Sequence, residues 1–297
     1  MRRTLTGVDA GRLERSCKRP ADSIRFGQRT VGLESADVRI YGSGFETHRH
    51  DSYTIGMTTA GVQRFRYLGT RQTSLPGELV ILYPDETHDG VPGTDDGFGY
   101  RAVYIAPELI IRATDGRALP FVAEPVQRAV PATRSIASVL ADIDEPIDDL
   151  RSSAVVATIA DCLWSLSGHL SSDGAPVDVT AVNIVREYLA AHARERIVAA
   201  TLESIAGLDR FTIARHFRRA FGTSPDRYRT LRRLKLARSA IESGASLATA
   251  AAESGFADQS HMTRQFKQTY GFTPARWVAL TAANHGNVPP VRLRRPM

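Results

Sequence analysis

Cysteine is scarce in this chain of 297 residues, which contains only Cys17 and Cys162. Neither lies in a spacing typical of metal or redox motifs, so no disulfide framework is predicted and a reducing compartment is indicated. Long apolar runs are also missing. The longest candidate, SAVVATIADCLWSL, contains Asp161 and is shorter than the ~18–20 residues of a membrane-spanning helix. The basic N-terminus lacks the apolar segment of a signal peptide. These absences predict a cytoplasmic protein with no membrane partner.

Motifs of the common enzyme chemistries are absent as well. The sequence has no Gly-rich phosphate loop, no nucleophile elbow, no cysteine cluster and no HExxH zinc motif. We therefore expect neither an enzyme nor a bound cofactor.

Charge is divided unevenly along the chain. Residues 180–297 hold 19 Lys and Arg against 8 Asp and Glu, a net of +11, which leaves 19 against 24, a net of −5, for residues 1–179. An acidic half joined to a strongly basic half is typical of a sensor attached to a nucleic-acid-binding domain. Charge alone would also fit a basic half that is merely soluble.

The first half is predicted to be a β domain. Short β-rich runs alternate with Gly, Pro or Asp turns over residues 25–106, and ELVILY has the pattern of a buried strand between two turns. Evenly spaced short strands indicate a small barrel or sandwich. Residues 1–24 are expected to form an N-terminal arm.

Residues 107–166 are predicted to form a helical hairpin interrupted at Pro146, with one apolar stripe on each helix. The stripes must be buried, either against the β domain of the same chain or in a homodimer through residues 132–166, and the sequence leaves both open. Residues 167–179 are rich in Ser, Gly and Pro and read as a linker.

The second half is predicted to be helical from residue 180 to residue 282, followed by a flexible basic tail over residues 283–297. Capping residues mark the helix ends. The expected N-caps are Thr180, Ser224, Ser246 and Thr273, and the expected C-caps are Gly222, Gly244 and Gly271.

An internal repeat organises this helical half. Residues 210–228 align with residues 259–277, so that Phe217 matches Phe266 and Gly222 matches Gly271. Each unit has a short helix, a glycine-containing turn, a second helix and then Gly-x-[Ser/Thr]-Pro. This order is typical of a helix-turn-helix.

The outward face of each second helix, at about residues 210–220 and 258–269, is expected to contact DNA. Arg215 and Arg264 suit guanine edges and Gln259 suits an adenine edge. Phosphate contacts are expected from Arg210, Arg218, Arg219 and Lys267. The intervening helix of ~19 residues would span ~28 Å, close to the ~34 Å of one turn of B-DNA, so the two helices are predicted to enter successive major grooves.

GLDRFTIARHFRRAFGTSPDRY and GFADQSHMTRQFKQTYGFTPARW resemble the tandem helix-turn-helix domain of AraC/XylS-type transcription regulators, over about residues 180–282. The resemblance implies double-stranded DNA and RNA polymerase as partners. It implies base-facing positions at Arg210, Phe211, Ala214 and Arg215 in the first unit and at Gln259, Ser260, Thr263 and Arg264 in the second. The sequence departs from the family pattern at Phe211 and Ala214, which hydrogen-bond poorly, and at Glu203, where a small residue is usual.

GSGFETHRHDSYTIGMTTAGVQ and SLPGELVILYPDETHDG resemble the cupin-like ligand domain of the same family. The resemblance implies a barrel interior that binds a small effector. We predict an effector pocket formed by His48, His50, Tyr53 and His88, with Arg64 and Tyr83 as further candidates whose direction depends on strand register.

Three of these residues, His48, His50 and His88, raise the question of a metal ion such as Zn²⁺, Fe²⁺ or Mn²⁺. Catalytic cupins also have a glutamate shortly after the second histidine, and DSYTIG at that place contains none. We therefore expect hydrogen bonds to a ligand or to the backbone rather than a metal, since metal sites need complete ligand sets.

The sequence thus predicts a two-domain α+β protein: a cupin-like β-barrel with a helical hairpin, then an all-α domain of two helix-turn-helix units joined by a long helix. The predicted function is ligand-responsive, sequence-specific transcription regulation. The alternatives are a metal-dependent cupin enzyme fused to a DNA-targeting module, and an architectural DNA binder without sequence preference.

Overall fold

The computed structural model describes residues 21–114, 117–128, 131–167 and 177–282. Most of the predicted N-terminal arm and linker, and the whole basic tail, lie outside these ranges. The strands are β1 (Ser23–Thr30), β2 (Leu33–Ile40), β3 (Phe45–His48), β4 (Tyr53–Gly61), β5 (Gln63–Tyr67), β6 (Thr70–Ser74), β7 (Leu79–Leu82), β8 (His88–Pro92), β9 (Phe98–Ile105) and β10 (Val126–Gln127). The helices are α1 (Pro107–Ala113), α2 (Pro131–Val139), α3 (Asp149–Leu166), α4 (Val179–Ala191), α5 (Ala199–Ala206), α6 (Arg210–Phe221), α7 (Pro225–Glu242), α8 (Leu247–Glu253), α9 (Gln259–Tyr270) and α10 (Pro274–Ala282).

The strands form two antiparallel sheets. The larger has the order β1-β2-β9-β4-β7-β10 and the smaller has the order β3-β8-β5-β6. Strand β1 begins at Ser23, so the last residues assigned to the arm belong to the β domain. The preceding Asp22 is held in place because its carboxylate accepts hydrogen bonds from the backbone N–H groups of Tyr41 and Gly42.

The segment after the barrel contains more than the predicted hairpin. Helix α1 and the short strand β10 precede α2 and α3, and β10 extends the larger sheet by pairing with β7. Helix α2 ends at Val139, several residues before Pro146, and the buried Ile143 lies in the connection between α2 and α3.

The apolar stripe of α3 is buried within the same chain. Val156, Ile159 and Leu163 belong to a core that continues from Ile55 and Val103 on the larger sheet. On the helical side this core extends to α4 and α6 through a second set of buried side chains, namely Val182, Val185, Ile213 and Phe217. One of the two arrangements left open by the sequence, burial against the chain's own β domain, is therefore observed.

The helical half has the predicted repeat. Helices α5 and α6 form the first helix-turn-helix, α8 and α9 form the second, and α7 joins them. Gly222 and Gly271 end α6 and α9 with φ of 70° and 74°, a conformation that glycine adopts without strain. The expected N-cap Thr180 is wrong: the carboxylate of Asp178 caps α4 by accepting from the N–H of Ala181. No helix in the described ranges is both long and apolar enough to cross a membrane.

Candidate DNA-binding surface and ligand cavity

Helix α6 separates its residues into a packed face and an outward face. Ile213 and Phe217 are buried, and Asp209 caps the N-terminus by accepting from the N–H groups of Phe211 and Thr212. Most of the residues predicted to contact DNA on this helix are exposed, namely Arg210, Phe211, Ala214, Arg215 and Arg218, and Arg219 is half-buried. The 3.6-residue period therefore places the predicted set on one accessible surface.

Two of these arginines are held by neighbours in the same unit. The Nε and Nη2 atoms of Arg210 donate to the carboxylate of Glu203 at 2.9 and 3.2 Å, and the backbone N–H of Arg210 donates to it at 3.0 Å. Glu203, the acidic departure from the family pattern, thus fixes the start of α6. Arg215 donates to the Thr212 hydroxyl at 3.0 Å.

Phe211 is 75% exposed in the middle of this surface. A large apolar side chain there has no partner in the described part of the chain that would bury it. It offers contact with a thymine methyl group rather than a hydrogen bond.

Helix α9 repeats the arrangement in the second unit. Met262 and Phe266 are fully buried, and Asp258 caps the helix by accepting from the N–H of His261. The predicted reading residues lie on the other face, with Gln259, Ser260 and Arg264 exposed and Thr263 and Lys267 half-buried.

Lys267 is engaged across the domain boundary. Its Nζ lies 2.6 Å from the Glu46 carboxylate on β3, and the two side chains are 41% and 60% exposed. The backbones meet there as well, because the N–H of Glu46 donates to the carbonyl of Gly271 and the N–H of Arg49 donates to the carbonyl of Gln268. The smaller sheet is therefore docked on the C-terminal end of the second recognition helix.

Helix α7 makes further ion pairs with the N-terminal half. Lys235 and Arg232 face the Asp51 carboxylate at 3.2 and 3.7 Å. Burial by itself would raise the pKa of Asp51, but these two cations lower it to about 2. At the end of α6, the hydroxyl of Thr223 donates to Asp85 at 2.9 Å.

A cavity of about 350 Å³ lies between the barrel and the helical half. Its barrel walls are mainly apolar side chains, from Ile24, Phe26, Val38, Phe65, Val80 and Leu82. Helices α7, α9 and α10 complete the wall with Leu231, Arg238, Tyr270 and Trp277. A molecule in this cavity would touch both domains.

Arg238 joins five elements around the cavity. Its Nη2 lies 2.7 Å from the Glu34 carboxylate on β2, its Nε lies 3.1 Å from Glu242 on α7, and its guanidinium stacks over Phe26 and Trp277 with Tyr270 nearby. Burial opposes the charged form, yet the two carboxylates raise the pKa of Arg238 above its ordinary value. The role of Arg238 could not be predicted from the sequence, because its partner Glu34 is 204 positions away. The opposite charges of the two halves were the available signal.

The structure brings His48, His50 and His88 together on the cavity wall. The ring centroids of His48 and His88 are 4.2 Å apart, and those of His50 and His88 are 4.9 Å apart. Burial is the main cause that lowers the pKa of each imidazole, to about 3 for His48, and the neighbouring histidines lower those of His48 and His88 further. All three rings are therefore neutral at pH 7.

The other predicted effector residues do not line the cavity. Tyr53 is fully buried in the core and its hydroxyl donates to the carbonyl of Pro120 at 2.8 Å. Arg64 points outward because the adjacent Phe65 points inward on β5. Tyr83 packs against Tyr53 and Phe121. The direction in which each of these three side chains points is decided by the register of β4, β5 and β7, the last of which ends one residue before Tyr83.

Comparison with known proteins agrees with this division of the chain. Residues 30–160 match the AraC-like ligand binding domain, and residues 202–279 match a helix-turn-helix domain. The chain is 28% identical to YbfI, an uncharacterised HTH-type transcriptional regulator of Bacillus subtilis (strain 168), over 228 residues, 73% of this chain and 81% of that protein. It is 29% identical to LumQ, a probable transcriptional regulator of Photobacterium leiognathi, over 147 residues, 49% of this chain and 59% of that protein.

Solved structures of ToxT from Vibrio cholerae share the two-domain fold. One superposes with a TM-score of 0.61 at 11% identity, covering 84% of this chain and 99% of ToxT. Another, of ToxT with an unsaturated fatty acid bound, gives 0.62 at 12% identity over 86% and 98%. These superpositions confirm the predicted fold class. The two matched domains carry the family: the chain belongs to the AraC/XylS-type transcription regulators, with an N-terminal ligand-binding domain and a C-terminal helix-turn-helix DNA-binding domain.

Proposed function

We propose that α6 and α9 read successive major grooves of one duplex and that a small molecule in the cavity adjusts how the β domain holds α7 and α9. The observation that carries this proposal is the shared wall of the cavity, which includes Phe65 on the barrel and Tyr270 on α9. A ligand with different contacts in two domain arrangements shifts the balance between them.

The length of α7 supports reading of two grooves. Its 18 residues span ~27 Å at ~1.5 Å per residue, which is near the repeat of the major groove along one face of the duplex. Arg264 and Gln259 are the residues that would carry direct base recognition, since both are exposed and suit the edges of guanine and adenine.

The lining of the cavity supports an effector that is mostly apolar with one polar end. Phe65 and Val80 represent the apolar wall, and the polar lining includes the three histidines and the cations Lys235 and Arg238. The fatty acid bound to ToxT has this character, and we propose the same general class, an amphiphilic acid, for this chain.

We propose two further partners. Contact with RNA polymerase is expected of a regulator that activates transcription. A homodimer through residues 132–166 would use the outer surface of the hairpin, where Leu150 is 81% exposed, because the apolar stripe of α3 is buried within the chain.

The test of DNA reading is a selection from randomised duplexes with the full chain. The expected result is two conserved patches about one helical turn apart. A specificity ratio near one against random DNA would refute sequence-specific reading and favour the architectural alternative.

The test of ligand sensing fills the cavity. Val80→Phe should remove the response of DNA affinity to amphiphilic acids while leaving affinity without them unchanged. Val91→Phe, on β8 and outside the lining, is the matched control and should keep the response. A response that survives Val80→Phe would place the effector elsewhere.

A further inference from the structure

The three cavity histidines have one feature in common that the sequence did not show. The Nδ1 atom of each ring faces a backbone carbonyl two residues away: Glu46 for His48 at 2.7 Å, Ser52 for His50 at 3.1 Å and Glu86 for His88 at 2.9 Å. A carbonyl can only accept, so this geometry favours the tautomer in which Nδ1 carries the proton and Nε2 presents a lone pair. For His50 the Ser52 hydroxyl also lies 3.3 Å from Nδ1.

We propose that His48, His50 and His88 bind one divalent transition-metal ion through their Nε2 atoms. Hydrogen bonding of the second ring nitrogen to a carbonyl fixes the tautomer and the ring plane, and this is the usual outer support of a metal-binding histidine. Its occurrence at three converging rings distinguishes this cluster from an incidental group of buried histidines. The expectation of no metal, based on the missing glutamate, is revised on this geometry.

The three ring nitrogens would fit around a metal ion after the imidazole rings move slightly closer together. One ring nitrogen from each histidine lies within 4.8 Å of the others. Zn–N bonds of ~2.0–2.1 Å in a tetrahedral site put ligand nitrogens about 3.4 Å apart, so the ring nitrogens must approach by up to about 1.4 Å. Side-chain rotation supplies such a movement. The hydroxyl of Thr54, now 3.1 Å from the Nε2 of His50, is the group that the metal would replace.

The ligand set also determines what the metal would bind next. Three neutral imidazoles leave the ion its full positive charge, and no carboxylate belongs to the cluster. The histidines line the cavity, so the remaining coordination positions open into it. These positions favour water or an anionic oxygen donor. On the proposed function, which this step assumes, the metal would bind the acidic end of the effector.

The metal site would also lie one layer from the second recognition helix. The ring of Phe45 lies between His48 and Phe272, with ring centroids 5.8 and 4.6 Å away, and Phe272 directly follows the C-cap of α9. The His48 ring is therefore connected through Phe45 to Phe272, beside the residues that dock the β domain on α9. A movement of that ring would reach this contact.

The experiment is a Zn²⁺ titration of the purified full chain after chelator treatment, by calorimetry and equilibrium dialysis. Wild type should bind one equivalent. His50→Gln and His88→Gln should each weaken binding at least tenfold. His261→Gln, which removes a histidine outside the cluster, is the matched control and should bind as wild type does. Unaltered affinity in both cluster variants, or no stoichiometric binding by wild type, would overturn the proposal.

X-ray absorption on Zn²⁺-loaded wild type gives a measurement that does not depend on whether a variant folds. Three imidazole ligands plus oxygen are expected, and fewer than two imidazoles would refute the site. Zinc binding with these ligands, combined with no effect of any amphiphilic acid on DNA affinity, would keep the metal site and refute the effector model instead.

Discussion

Glu46→Gln should increase the affinity of the full chain for DNA of any sequence. The carboxylate of Glu46 pairs with Lys267 at 2.6 Å, and Lys267 lies on the helix predicted to contact phosphates. While it pairs with Glu46, the lysine is not available to the DNA backbone. Glutamine keeps the side-chain size, and the backbone N–H of residue 46 still donates to the carbonyl of Gly271.

The size of the effect follows from the exposure of the pair. With 41% and 60% of the side chains exposed, solvent screens the attraction, and an exposed ion pair contributes ~0.2–1 kcal/mol. If this free energy is recovered when DNA binds, affinity rises about 1.4- to 5-fold, since ~1.4 kcal/mol is a factor of ten. One additional phosphate contact also makes the slope of log K against log salt steeper by ~0.9.

Fluorescence anisotropy measures both the affinity and the salt slope. A selected duplex and a random duplex are each titrated at salt concentrations from about 50 to 200 mM, a range in which such slopes are resolved. The two duplexes should gain equally, because a phosphate contact carries no sequence information. Glu145→Gln is the matched control. It removes the same charge from the N-terminal half, but Glu145 pairs with Arg151 inside the helical hairpin rather than with Lys267. An equal gain in both variants would show an effect of net charge alone and would refute the role of the Glu46–Lys267 pair.

Three further predictions test the recognition helices. Arg264→Ala should cost ~1–3 kcal/mol of base discrimination and flatten the selected motif at one or two base pairs, whereas Arg218→Ala should lower affinity for all sequences; an unchanged motif in Arg264→Ala would mean that Arg264 binds only phosphate. Phe266→Ala, at a fully buried position, should lower the free energy of unfolding by ~3–5 kcal/mol in urea titrations, while Phe211→Ala, at an exposed position, should leave it nearly unchanged. Gly271→Ala should destabilise more than Gly207→Ala in the same assay: both glycines end helices at positive φ, but a Cβ at residue 271 would come within 3.0 Å of the His48 ring, whereas a Cβ at residue 207 meets nothing within 4 Å; equal losses would show that the domain contact at Gly271 contributes nothing.

The helix-turn-helix units could be predicted from the sequence because their information is local. The helical spacing of apolar residues, including Phe217 on α6 and Phe266 on α9, determines which face of each helix packs. The glycines that follow determine where each helix ends. The cap of α4 was missed although Asp178 is as good a capping residue as Thr180, because helix boundaries are uncertain by one or two residues when two candidates lie close together.

The cavity could be predicted only in part. His48 and His50 were correctly expected to lie near His88, since the resemblance to a cupin-like domain fixes how distant strands come together. Tyr53 and Tyr83 were placed in the pocket without knowledge of the strand register, and a shift of one residue moves a side chain to the opposite face. Helix α1 and strand β10 have no distinct local pattern, because tertiary pairing with β7 and packing on α3 define them.

The positive charge of the helical half also forms contacts with the N-terminal half, which composition alone could not reveal. Six basic residues of the helical half, Arg227, Arg232, Lys235, Arg238, Lys267 and Arg276, form ion pairs with carboxylates of the N-terminal half. The surplus of +11 therefore includes cations that dock the two domains as well as cations that face DNA. Salt screens exposed ion pairs between the two domains as well as exposed contacts between cations and DNA phosphates. We therefore expect fewer phosphate contacts than this half has basic residues, since Arg238 is held among two carboxylates and several aromatic rings on the cavity wall. The positive charge that predicts a DNA partner thus also holds the N-terminal domain against the helical half. The proposed ligand would act on that contact, because its cavity lies between the two.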